Sequence, residues 1–177
     1  PVDIPRGRTA TPSDVRLALE QHPGAAAMLF THNETSTGAL TDLRACTSAL
    51  PEDGPLVLVD AVSSFGAVPC FPEEQRIDGL ASCSQKGLLT PPGIGIVALS
   101  ERGWKRAASR PSSSYYFDLP LHRRFLEKSR PQNPYTPPVT LLYSLAEALR
   151  FLDGVGFERR FADVQRTART FETACEA

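Results

Sequence analysis

The chain has no charge excess, no long apolar run and no clustered metal ligands, and each absence removes a class of function. Nineteen Lys and Arg stand against 20 Asp and Glu, a formal net charge of −1, so no strong field draws the molecule to nucleic acid or to an anionic membrane. No apolar run approaches the ~20 residues of a membrane-spanning helix, and no membrane partner is expected. Cys46, Cys70, Cys83 and Cys175 show no Cys-x-x-Cys spacing, and His22, His32 and His122 are scattered, so no zinc or other metal site is expected. Buried or inert thiols suit a reducing compartment, inside a cell: cytoplasm, mitochondrion or peroxisome. Ser63 and Ser64 lack the Gly-x-Ser-x-Gly elbow of a hydrolase. There is no internal repeat and no low-complexity tract. The first residue is Pro1, with no initiator Met and no signal-peptide pattern, so the chain is expected to start inside a longer protein.

What is present describes an ordinary globular domain: 177 residues, 41% hydrophobic and 22% charged, enough to bury a sizeable core. Thr11-Pro12-Ser13-Asp14 predicts a helix start, with Thr11 as cap and Pro12 in the first turn, and Pro23-Gly24 ends it. Ala26 to Thr31 reads as a buried strand. Ala39, Leu43, Cys46 and Leu50 predict a helix packed by one face, followed by a strand from Leu56 to Asp60. That order implies a right-handed parallel crossover with functional loops at the carboxyl ends of the strands, where Thr35 and Asp60 fall.

Gly79 to Cys83 and Ile94 to Leu99 are the next strands, and the connection between them is too short for a parallel return, which predicts an antiparallel pair. Ser100 to Ala108 reads as a short helix and the proline-rich Arg110 to Pro138 as an extended loop region. Val139 to Leu152 reads as a largely buried helix. Phe157, Phe161, Val164, Ala168, Phe171 and Cys175 form a last helical stripe that needs a partner surface. The basic clusters Arg102, Lys105, Arg106 and Arg110, and Arg123, Arg124, Lys128 and Arg130, read as solvated faces, since no nucleic-acid motif accompanies them.

Two strand ends stand out chemically. Ser84-Gln85-Lys86-Gly87-Leu88 sets a lysine after a short apolar strand, where burial would disfavour its charged form. Leu56 to Gly66 sets a carboxylate, Asp60, at the end of another. An acid and an amine at strand ends of one sheet suggest a cofactor site. His32 reads as a hydrogen-bonded structural residue.

Thr31-His32-Asn33-Glu34-Thr35-Ser36-Thr37-Gly38, Val59-Asp60-Ala61-Val62-Ser63-Ser64-Phe65-Gly66, Ser82-Cys83-Ser84-Gln85-Lys86-Gly87, Pro91-Pro92-Gly93 and Tyr135-Thr136-Pro137-Pro138-Val139 together resemble the central motifs of class V aminotransferases. Within that family the likeness is to the alanine–glyoxylate and serine–pyruvate group. The resemblance implies an α/β fold, the large domain of a fold-type I transferase that uses pyridoxal 5'-phosphate, with a mostly parallel mixed sheet between helices, present as a fragment. Residues 1–153 would form the central part of that domain and 154–177 a helix leading to a small one. Lys86 would bond the cofactor and act as acid and base, and Asp60 would pair with the ring nitrogen. Val62 would lie on the ring face, Thr35 would bond the ring hydroxyl, and Gln85 would reach the phosphate. Thr136 would touch the phosphate of the partner subunit's cofactor in a homodimer. The expected partners are small molecules, an amino acid such as alanine or serine and a 2-oxo acid such as glyoxylate or pyruvate. Two alternatives stay open: a cysteine desulfurase or selenocysteine lyase, against which Gln85 stands where those relatives carry His, and a truncated chain without catalysis. The segments that supply most phosphate donors and the substrate-binding arginine in the family have no counterpart here.

Overall fold

The computed structural model describes residues 2–110 and 112–176. Pro1, from which the start of the chain was read, lies outside them, as do Pro111 in the proline-rich segment and Ala177 in the last stretch. Chain order is α1 Pro12–Gln21, β1 Ala27–Thr31, β2 Asn33–Glu34, β3 Ala39–Leu40, α2 Leu43–Ser48, β4 Leu56–Asp60, β5 Gly79–Cys83, β6 Gly95–Leu99, α3 Glu101–Ala108, α4 Leu119–Leu126, α5 Val139–Val155 and α6 Phe157–Glu176. Helix α1 starts as its sequence dictates. The Thr11 hydroxyl accepts from the Asp14 amide, the Asp14 carboxylate accepts from the Thr11 amide at 2.9 Å, and Pro12 fills the first turn.

The main sheet has the order β1-β4-β5-β6, parallel from β1 to β5 and antiparallel between β5 and β6. Register puts Phe30, Val59 and Leu80 in one row, all buried, and Thr31, Asp60, Ala81 and Val97 in the next, all exposed. Alternate side chains point to opposite faces, so the first row marks the core face. There Phe30, Val57, Val59 and Leu80 pack with Val15 of α1 and Leu43 and Cys46 of α2. The other face lies open at Leu29 (76% exposed) and Val97 (54%).

The end of the sheet away from Asp60 is pinned by Asp78, which is 4% exposed. Its carboxylate accepts from the Val57 amide at 3.0 Å and the Ser100 hydroxyl at 2.7 Å. Charge-assisted hydrogen bonds of this kind repay the burial of an acid.

Four expectations need correction. The helix read from Ala39 begins at Leu43. Residues 39–40 pair instead with 33–34 as a hairpin, and Asp42 caps α2 through the Ala45 amide. The segment read as extended contains α4, which Asp118 caps at the Leu121 amide (2.8 Å) with Pro120 in its first turn. Helix α5 is not largely buried: only Leu152 is, while Tyr143 is 75% and Phe151 60% exposed. Cys175 is exposed rather than buried, whereas Cys46 and Cys70 are buried, and burial pushes the Cys70 thiol up to about 11.

Candidate functional site

Parallel β1, β4 and β5 bring their carboxyl ends side by side, and register sets Thr31, Asp60 and Ala81 abreast. Asp60 ends β4 on the open face. Its Oδ1 accepts from the Val62 amide at 2.9 Å, a local turn typical of a short acid. No hydrogen bond from the described residues reaches Oδ2. Val62 is half-buried, and its carbonyl accepts from the Cys83 thiol at 3.9 Å. Asp60 and Val62 also line a shallow apolar hollow of about 470 Å³ on the open face, with Leu29, Thr31, Leu58 and Ala81. Lys86 is not among its lining residues.

Lys86 stands in the turn after β5, and the turn's backbone is closely held. Ser84 is fully buried; its amide donates to the Ile94 carbonyl at 3.1 Å and its hydroxyl to the Pro91 carbonyl at 2.9 Å. The Thr90 hydroxyl donates back to the Ser84 carbonyl at 2.9 Å, the Leu89 amide donates to the Lys86 carbonyl at 3.0 Å, and Leu88 is buried as an anchor. The burial expected for Lys86 is absent: its backbone is fixed while its side chain is exposed, and no described residue hydrogen-bonds its amine.

The loops that follow β4 and β5 touch backbone to backbone. A Cβ on Gly87 would collide with the Phe65 carbonyl oxygen and stand 2.9 Å from the Ala67 nitrogen. Gly66, at φ +77°, would place a Cβ 2.9 Å from the Leu88 side chain in a conformation that other residues rarely adopt. Arg160, in the first turn of α6, reaches both loops: Nε donates to the Gly66 carbonyl at 2.6 Å and Nη2 to the Gly87 carbonyl at 3.0 Å. No local pattern in the sequence singles out this residue, because its partners lie 94 and 73 positions away.

Thr35 does not lie at the end of β1. It occupies the exposed turn of the β2–β3 hairpin, which is tied to the loop after β4 by Asn33 Nδ2 donating to Ser63 Oγ and Ser63 Oγ donating to the Asn33 carbonyl, both 2.9 Å. Gln85 is exposed beside Lys86, and Thr136 is exposed just before α5. No hydrogen bond among the described residues joins Thr35, Gln85 or Thr136 to Asp60 or Lys86. Next to Thr136, the Tyr135 hydroxyl meets His122 Nε2 at 2.9 Å and its ring stacks on Tyr116 at 4.6 Å between centroids.

His32 is buried, yet its Nδ1 has no hydrogen-bond partner among the described residues, contrary to the expectation of a hydrogen-bonded structural residue. Burial pushes its pKa down, so it is held neutral.

The family model for aminotransferase class-V matches residues 3–174. The small subunit of a soluble hydrogenase from Synechococcus sp. is 34% identical over 99% of this chain and 46% of its own length. Serine–glyoxylate aminotransferase of Methylorubrum extorquens is 34% identical over 86% of this chain and 40% of its own length. The crystal structure of an alanine–glyoxylate aminotransferase from Nostoc sp. superposes with a TM-score of 0.87 at 33% identity, over 94% of this chain and 44% of that one. The chain thus spans less than half the length of these relatives.

Proposed function

The chain belongs to the class-V aminotransferase family, and from that premise we propose that it holds pyridoxal 5'-phosphate and takes part in moving an amino group from alanine or serine to a 2-oxo acid such as glyoxylate or pyruvate. Similarity to serine–glyoxylate and alanine–glyoxylate aminotransferases supports this choice of donor and acceptor. The observation that carries the reading is the contact of the loop bearing Lys86 with the loop that follows Asp60 through Gly87 and Gly66. The residues fit the cofactor: an exposed primary amine for its carbonyl, a carboxylate whose Oδ2 takes no hydrogen bond from the described residues for its ring nitrogen, and half-buried Val62 for its ring face.

When bound, pyridoxal phosphate supplies the electron sink that makes loss of the substrate Cα proton feasible. Asp60 keeps the proton on the ring nitrogen, which favours the charge that develops in the transition state. Lys86 would hold the cofactor through its Nζ and, once freed from it, would carry the substrate Cα proton as general base and then general acid. Thr35 and Gln85 add polar contacts to the ring hydroxyl and the phosphate. Thr136 serves the cofactor of a partner subunit, so the working form is a homodimer. Residues 1–153 belong to the cofactor-holding domain, and 154–177 lead to a smaller one.

Treating the purified protein with pyridoxal phosphate and borohydride, then mapping peptides by mass, tests the assignment. The label is expected on Lys86. Its appearance on Lys105 or Lys128 instead would overturn the reading.

A further inference from the structure

We propose that Arg160 is a positioning residue for Lys86: its guanidinium fork holds the lysine loop against the loop that follows Asp60, and so sets where the amine stands relative to the carboxylate. The proposal rests on the cofactor reading for the role of Lys86. The clamp itself rests on geometry alone.

The two loops, 61–68 and 84–90, touch closely but share no direct hydrogen bond among the described residues. The Arg160 bridge, at 2.6 Å to Gly66 and 3.0 Å to Gly87, is the one hydrogen-bonded link between them there. The glycines make the bridge effective, because a Cβ on Gly87 would drive the loops apart. Arg160 has no carboxylate partner among the described residues, so its donors are directed to two neutral carbonyls. Charged donors bond such acceptors more strongly than neutral ones. The planar fork spans two acceptors at once, which a lysine ammonium on a flexible stem does poorly.

Helix α6 has no buried residue, and positions 165–176 are all exposed. What Arg160 orders is the pair of loops.

Hydrogen–deuterium exchange and Lys86 labelling on the purified protein, with Arg160→Met, Arg160→Lys and the exposed neighbour Arg159→Met as control, test the proposal. Losing both charged donors is expected to speed exchange in 61–68 and 84–90 by about tenfold or more, with 56–60 and 79–83 unchanged. Attachment of pyridoxal phosphate to Lys86 should slow by a similar factor, with Lys105 labelling unaffected. Arg160→Lys should fall between, and Arg159→Met should match the parent. If Arg160→Met fails to fold, Arg160→Lys carries the same measurement. Unchanged loop exchange, or equal acceleration in loops and strands, overturns the clamp. Absence of label on Lys86 in the unsubstituted protein overturns the cofactor reading instead, and the exchange arm still decides the clamp.

Discussion

Asp60 offers a clean separation of charge from structure. Its Oδ1 accepts the Val62 amide, and an asparagine Oδ1 accepts the same bond, so Asp60→Asn preserves the turn while removing the carboxylate. If the carboxylate keeps the cofactor ring nitrogen protonated, the half-reaction rate should fall by about 10² or more with the far-UV spectrum unchanged. Stopped-flow measurement of each half-reaction reads this. A near-normal rate in the asparagine variant would remove Asp60 from the chemistry and leave it a turn residue. Asp78 shows the contrast, because an acid of the same type, at the opposite end of the sheet and buried, holds the Val57 amide and the Ser100 hydroxyl, with Arg102 Nε 3.8 Å away.

Among the elements, α1 carries a pH-dependent start. The Thr11 hydroxyl, then Arg8 and the Thr11 amide, hold the Asp14 carboxyl down to about 2 from 3.8. A depressed carboxyl stabilises the fold at pH values above its unfolded pKa, and that contribution disappears as pH falls through the folded one. The melting-temperature gap between the parent and Asp14→Asn should therefore be full above pH 4, shrink below it and close near pH 2. A gap that stays constant across that range would show that the capping carboxylate contributes nothing through its charge. Helices α2 and α4 obey the same capping chemistry through Asp42 and Asp118. Asp118 followed by Pro120 was a legible start signal, and the surrounding prolines hid it.

At the scale of the whole molecule, one side of the sheet is a core and the other is open. Thr31, Asp60, Ala81 and Val97 form an exposed row, and Leu29 beside it is 76% exposed. Phe171 on α6 is 71% exposed as well. Apolar surface of this kind favours association. Purified alone under reducing conditions, the 177-residue chain is expected to bind a hydrophobic dye and to elute above monomer size, with Leu29→Glu lowering the dye signal. A monomeric, dye-silent chain would contradict the expectation. The same openness leaves Lys86 and Asp60 exposed, and catalysis depends on holding substrate in reactive geometry. Little transamination is therefore expected from the chain by itself.

By itself the sequence determined what depends on near neighbours. Short apolar runs between Pro- and Gly-rich turns placed β1, β4, β5 and β6 to within about a residue, and Thr11-Pro12 placed α1. The ten residues between Cys83 and Ile94 were too few for a parallel crossover, which made β6 antiparallel. The motifs around Asp60 and Lys86 pointed to the candidate site. Tertiary structure alone decided which face of the sheet is covered, why α2 yields its start to a hairpin, that Lys86 is exposed, and that Arg160 bridges Gly66 and Gly87. Periodicity and capping act over a few residues, whereas the pairings of Asn33 with Ser63, Val57 with Asp78 and Arg160 with Gly66 span 30, 21 and 94. Contacts that long leave no local trace in composition or spacing, so only the folded chain brings them together.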